Sequence, residues 1–209
     1  MTARDARTLG VLLAALAVLA SVCAVPAVAT LGGVATAPTD AQSTGEAEPT
    51  PLDSCTTIEE SGTYVLTDDI ENGGKTPISE SCFEIRADDV TVDGDGHEVA
   101  GRGESHTDGV AVVGADGVTV RNVEVHDWHN GVVVENGSAS VREVTSHANA
   151  YGIRLENAGE TSVEANTVED NLVGIYAEGE AVSLGDNDLS GNEIPVQEDA
   201  GNASTRADF

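Results

Sequence analysis

Lysine is almost absent from this chain: Lys75 is the only one, and the basic residues number nine against 37 acidic ones, for a formal net charge of −28. So few cations cannot neutralise a phosphate backbone, which excludes nucleic acid as a partner. An anionic membrane surface is excluded for the same reason. Large aromatics are scarce too, with two Phe, three Tyr and one Trp in 209 residues. The core must therefore be built from small aliphatic side chains. Good formers of helix interiors do not dominate, because Gly, Val, Thr, Asn and Asp are all poor ones, and this argues against a helical bundle. What is abundant is carboxylate and glycine, the latter 23 times. The length suits one domain. Such acidity fits a protein that works in concentrated salt, where charges are screened over about 3 Å at 1 M. Dense carboxylates then keep the surface hydrated without strong self-repulsion.

The ends read separately from the middle. Arg4 and Arg7 precede an uncharged apolar run over residues 9–29, and Ala27-Val28-Ala29 offers a small-x-small cleavage site before Thr30. Residues 1–29 are thus expected to be a secretory signal. An uncleaved membrane anchor is the other reading, since about 20 apolar residues span a bilayer. Residues 30–51, rich in Ala, Thr, Pro, Gly and Glu, read as a flexible linker, 52–197 as the folded domain, and 198–209 as a disordered polar tail. Past the signal two cysteines remain, Cys55 and Cys82. An even count in an oxidising exterior favours a disulfide, with free thiols or half of a metal site as alternatives. Asn136-Gly137-Ser138 and Asn202-Ala203-Ser204 are glycosylation sequons, compatible with export.

The middle of the chain repeats. Gly109, Gly131, Gly152 and Gly174 follow one another at spacings of 22, 21 and 22, and Pro195 lies 21 beyond the last. After each glycine apolar residues alternate: Val110 and Val112, Val132 and Val134, Ile153 and Leu155, Ile175 and Ala177. Each such segment predicts a short strand with one buried face. Val120, Val141, Val163 and Leu184 mark a second strand, eleven residues before the next marker. A 22-residue unit cannot close a core alone, but stacked coils can, with like residues laddered about 4.8 Å apart. A β-sandwich does not predict a phase-locked period. The fold expected is all-β, a right-handed parallel β-helix of about five to six coils. Asn149, Asn171 and Asn192 stand three residues before successive markers, with Trp128 in that place one coil earlier. Asparagine ladders at turns are a structural device, and that reading is preferred to a ligand site.

The repeat resembles those of the right-handed β-helix superfamily. The opening Cys55-Thr-Thr-Ile-Glu-Glu-Ser-Gly-Thr-Tyr-Val-Leu-Thr, followed by Ala87-Asp-Asp-Val-Thr-Val-Asp-Gly-Asp-Gly-His, resembles the first coils of NosD-type periplasmic copper-binding proteins. It is similar as well to carbohydrate-binding and sugar-hydrolase β-helices. The resemblance spans residues 52–197 and implies the fold more specifically than any activity. From it comes the expectation of a binding module that takes copper or another divalent metal, with a glycan as the other partner class.

Outward columns follow from the repeat phase. His126 and His147 each lie five residues before a marker, and Glu169 holds that place one coil on. Two imidazoles and a carboxylate one strand spacing apart have the donor chemistry for a divalent transition metal. His129, three residues from His126, joins if the turn folds back. The plainer reading leaves these histidines as decoration on a turn. Glu135, Glu156 and Glu178 form a second column, read as part of an acidic coat relieved by Arg154, or as a calcium site. Arg121 and Arg142 stack, and Glu164 continues their column, which suggests a surface salt bridge. Asp127 and Asp170 are equivalent two coils apart, about 9.6 Å by strand spacing, a marginal match to the carboxylate pair of an inverting glycosidase. Asp93-Gly94-Asp95-Gly96 reads as a glycine-rich turn. No Ser-His-Asp arrangement or phosphate loop is evident, so a catalytic role is not indicated. A carbohydrate-active enzyme or a purely structural surface protein remain the alternatives to a binding module.

Overall fold

A computed structural model describes residues 48–71, 77, 80–178 and 181–199. The segment expected to be a signal, residues 30–47 of the linker, and everything beyond 199 lie outside them. The described residues form strands β1–β18, numbered in chain order, in three parallel sheets and without an α-helix.

Sheet 1 comprises β1 (Thr50–Leu52), β3 (Gly62–Leu66), β5 (Val90–Asp93), β8 (Val118–Arg121), β11 (Ala139–Arg142), β14 (Thr161–Glu164) and β17 (Val182–Leu184). Sheet 2 comprises β2 (Thr56–Ile58), β4 (Ser81–Ile85), β7 (Asp108–Val113), β10 (Asn130–Glu135), β13 (Tyr151–Glu156), β16 (Val173–Glu178) and β18 (Ile194–Asp199). Sheet 3 is β6 (Glu98–Ala100), β9 (Glu124–His126), β12 (Thr145–His147) and β15 (Thr167–Glu169). The chain passes from sheet 2 to sheet 1 to sheet 3 and back. Four circuits are complete in strands, and isolated bridges at Ile70 and Asp188 close two more. This is a right-handed parallel β-helix, the hand that parallel crossovers adopt.

The core is the repeat seen end-on. Phe83, Val110, Val132, Ile153 and Ile175 pair in register along sheet 2, and all are fully buried. Val92, Val120, Val141 and Val163 do the same in sheet 1. Each such burial is worth about 1.5–3 kcal/mol, and β-branched residues fit the ladder because they pack on a pleated surface. The marker glycines are required for close approach: a Cβ at Gly152 would fall 2.4 Å from Val168 Cγ1 and 2.7 Å from the Gly174 carbonyl oxygen.

Each corner of the tube uses a left-handed residue. Asp127, Ala148 and Asp170, with φ of 59°, 55° and 54°, turn the chain from sheet 3 into sheet 2. The very next residue fills the corner. Asn149 Oδ1 accepts from the Trp128 N–H at 2.8 Å, Asn171 Oδ1 from Asn149 N–H at 2.9 Å, and Asn192 Oδ1 from Asn171 N–H at 2.9 Å. That is the expected asparagine ladder. A second ladder, not anticipated, runs at the corner between sheets 1 and 3, where Asn166 and Asn187 accept from the amides of Val144 and Asn166.

Three local features differ from the sequence reading or sharpen it. The stack begins with β1, whose Thr50 and Pro51 fall in the stretch read as linker, because a three-residue strand with a single inward apolar residue carries no periodicity. At the other end Glu198 and Asp199 belong to β18, and the Tyr176 hydroxyl donates to Asp199 Oδ2 at 2.8 Å. The coil ahead of Gly109 is longer than those that follow: residues 101–107 join β6 to β7, where 127–129 suffice between β9 and β10. The Cys55–Cys82 disulfide is formed and ties the turn before β2 to β4.

Candidate metal centre

The strands of sheet 3 are only three residues long, so each buries its middle residue and turns both ends outward. In β9 the buried residue is Val125, which leaves Glu124 and His126 on one outer face. In β12 it is Ser146, fully buried in a column otherwise made of valines. Ser146 Oγ donates to the Gly152 carbonyl at 2.9 Å and accepts from Asn149 Nδ2 at 3.0 Å, so the corner ladder sets the pitch of the strand that carries His147.

Register then brings the side chains together. His126 pairs with His147 and His147 with Glu169, as the repeat phase requires. The two imidazoles stack with centroids 4.9 Å apart and planes 9° from parallel. His147 Nε2 lies 2.9 Å from Glu124 Oε1, across the diagonal between strands. One ligand atom from each of Glu124, His126 and His147 falls within 4.8 Å of the others. His126 Nδ1 is held by Asp127 Oδ2 at 3.0 Å, and its Nε2 faces Glu98 Oε2 at 3.7 Å. A carboxylate on Nδ1 fixes the tautomer and frees Nε2 as a donor.

Of the four residues predicted from sequence, the structure gathers His126 and His147. Glu169 continues their column but stands outside the group of three. His129 is elsewhere: its ring stacks on His106 at 5.5 Å and meets Tyr151 edge-on at 5.7 Å, because Trp128 plugs the corner and turns the next residue toward sheet 2. Sequence reasoning missed Glu124. Its signal is position i−2 from His126, the same face of a strand, and Glu98 has the same place one coil earlier.

Residues 105–205 match the family model described as a right handed beta helix region. This is a β-helix repeat protein. Neither the curated proteins nor the solved structures contain a match to the chain.

Several other outward residues of the β-helix are engaged in surface pairing. Arg121 pairs with Asp93 at 2.7 Å and Arg142 with Glu143 at 3.1 Å, so the partner expected at Glu164 is not the one used. Asp127 turns to His126, which takes it out of any face-to-face pair with Asp170. Asp93 accepts from the Asp95 N–H at 3.0 Å, as in a glycine-rich turn. Arg154 does relieve the glutamate column through a short contact with Glu156.

Glu135 in that column is held above its ordinary value by burial and by the neighbouring Glu156 and Asp108 carboxylates. The stability it contributes is complete below about pH 4.5 and is lost as pH rises through the raised value. Glu135→Gln is therefore expected to raise the melting temperature at pH 7, with the gain shrinking toward pH 4. Thermal denaturation of both proteins at the two pH values checks it. A gain that grows on acidification would contradict the assignment.

Proposed function

We propose that this protein is an exported, non-catalytic binding module whose outer turn at β9 and β12 holds one divalent metal ion, copper or zinc. The observation that carries the reading is the convergence of Glu124, His126 and His147 on one face of sheet 3. Two imidazole nitrogens and a carboxylate oxygen match these borderline metals, and hard cations such as calcium would call for oxygen donors only. Glu98 is the nearest further donor, and Asp127 is the positioning group behind His126. The resemblance to NosD-type copper-binding proteins supports the same reading. Export is supported by the character of residues 1–29 and by the disulfide, since such bonds persist in oxidising compartments.

Calorimetric titration with Cu²⁺ or Zn²⁺ tests it. One site per chain is expected, lost by about 100-fold or more in His147→Ala, and by roughly 10-fold in Asp127→Asn, where only the outer partner changes. His129→Ala and Glu169→Gln should leave the affinity unchanged. Affinity should also fall as the solution is acidified, because protons compete for the imidazole lone pairs. No saturable binding, or binding indifferent to His126→Ala and His147→Ala, would sink the proposal.

A further inference from the structure

Asn149, Asn166 and Asn171 are buried, and their side-chain amides donate to backbone carbonyls inside the corners. Asn136 is placed differently. It stands in the turn that joins β10 to β11, exposed and left-handed with φ of 53°, a conformation asparagine tolerates. Its Oδ1 accepts from Asn157 Nδ2 at 2.7 Å, one coil on. That bond turns the amide nitrogen of Asn136 away from Asn157, and among the described residues this nitrogen donates to nothing.

Two residues on stands Ser138, and among the described residues no other asparagine has Ser or Thr at that spacing. The repeat does not require this pair. By register Gly114 and Asn157 take the place of Asn136 in the coils on either side, and Gly117 and Glu160 that of Ser138. Gly137, between them, passes so close to the preceding coil that a Cβ there would overlap the Ala115 carbonyl. Ser138 N–H donates to the same carbonyl at 3.0 Å, and Ser138 Oγ to Asp116 Oδ1 at 2.8 Å. The folded turn is thus pinned through its backbone and its serine, while the Asn136 side chain stays open to solvent.

We propose that Asn136 carries an N-linked glycan, an inference that rests on the exported reading given above. The sequon is the acceptor pattern for this modification. Asn136 Nδ2 bonds to the anomeric carbon of an oligosaccharide carried on a lipid phosphate. The bond from that carbon to the phosphate oxygen breaks, the phosphate leaves with the electron pair, and one amide proton passes to a base of the transferase. With Ser138 committed to Asp116 once the coil has formed, transfer belongs before the coil closes, and the finished turn holds the product outward. The turn lies at the corner between sheets 2 and 1, which sheet 3 does not share. A bulky, hydrated group there leaves Glu124, His126 and His147 uncovered.

The test is mass spectrometry of the full chain, recovered from the cells that make it and separated into cytosolic and exterior fractions. Trypsin cuts after Arg121 and Arg142 and releases residues 122–142 as one peptide. In the exterior fraction this peptide should be heavier by a glycan, which electron-transfer fragmentation places on Asn136. The added mass should be lost in Asn136→Gln and in Ser138→Ala and kept in Ser138→Thr, which preserves the acceptor pattern. Metal affinity should be unchanged in Asn136→Gln. An exterior chain with the peptide only unmodified would overturn the glycosylation and leave export standing. A chain confined to the cytosol would overturn both, and a glycan retained in Asn136→Gln would refute the assignment of the site.

Discussion

Asn171→Ala should lower the stability of the fold by about 4 kcal/mol, because one amide serves four backbone or side-chain groups at once. Its Oδ1 accepts from the Asn149 N–H, and its Nδ2 donates to the Ser146 and Glu169 carbonyls at 3.0 Å each and to Asn192 Oδ1 at 3.1 Å. The side chain is 3% exposed, so water cannot take over these bonds. Truncation strands a buried N–H and two carbonyls and leaves a small cavity besides. Asn171→Asp is the informative companion. It keeps the acceptor for Asn149 but loses every donor and points a carboxylate at carbonyl oxygens, so it should be at least as harmful as alanine. Chemical denaturation at constant salt checks both. A loss below about 1 kcal/mol for Asn171→Ala would show that the ladder is a by-product of packing. The same substitution bears on the metal centre, because Ser146, the middle residue of β12, is bonded to this ladder through Asn149.

Removal of the disulfide has the second large effect. Cys55→Ala/Cys82→Ala should cost about 3 kcal/mol by the chain entropy that a bridge across 27 residues removes from the unfolded state. The loss should also be local. In a solenoid each coil touches only its neighbours, so stability is close to a sum of coil and interface contributions. Without the bridge β1 and β2 depend on a few ladder bonds and on the single buried residues Leu52 and Ile58. Amide hydrogen exchange should show protection lost over residues 50–66 and retained in β10–β15. Loss spread evenly along the chain would mean that the coils unfold as one cooperative unit.

Much of this architecture is legible in the residues. Gly109, Gly131, Gly152 and Gly174 set the coil length, the alternating Val and Ile after them set the inward face of sheet 2, and Asn149, Asn171 and Asn192 set one corner. A parallel solenoid permits this because register is the repeat itself. Residues one period apart become neighbours in space, so the pairing of His126 with His147 follows from counting. What counting cannot supply is the direction of a side chain at a turn. His126 and His129 are three residues apart, yet Trp128 between them fills the corner, and the two imidazoles leave on different sheets. The partner of Arg121 escaped for a like reason: its column holds an acid on both sides of the arginine pair, and only packing chose Asp93.

The sequence by itself therefore determined the period, the aliphatic core, the asparagine corner and the bonded cysteines, each the consequence of a local preference multiplied over identical coils. Only the tertiary structure decided which polar groups converge. Glu124 became a ligand candidate by lying diagonally across a strand from His147, and Arg86 and Arg154 closed onto Glu84 and Glu156. Those are choices among rotamers of flexible surface side chains, made by contacts over a few ångströms that no repeat encodes. The net charge of −28 belongs to the first kind, a property of the whole outer surface, and the candidate metal centre belongs to the second.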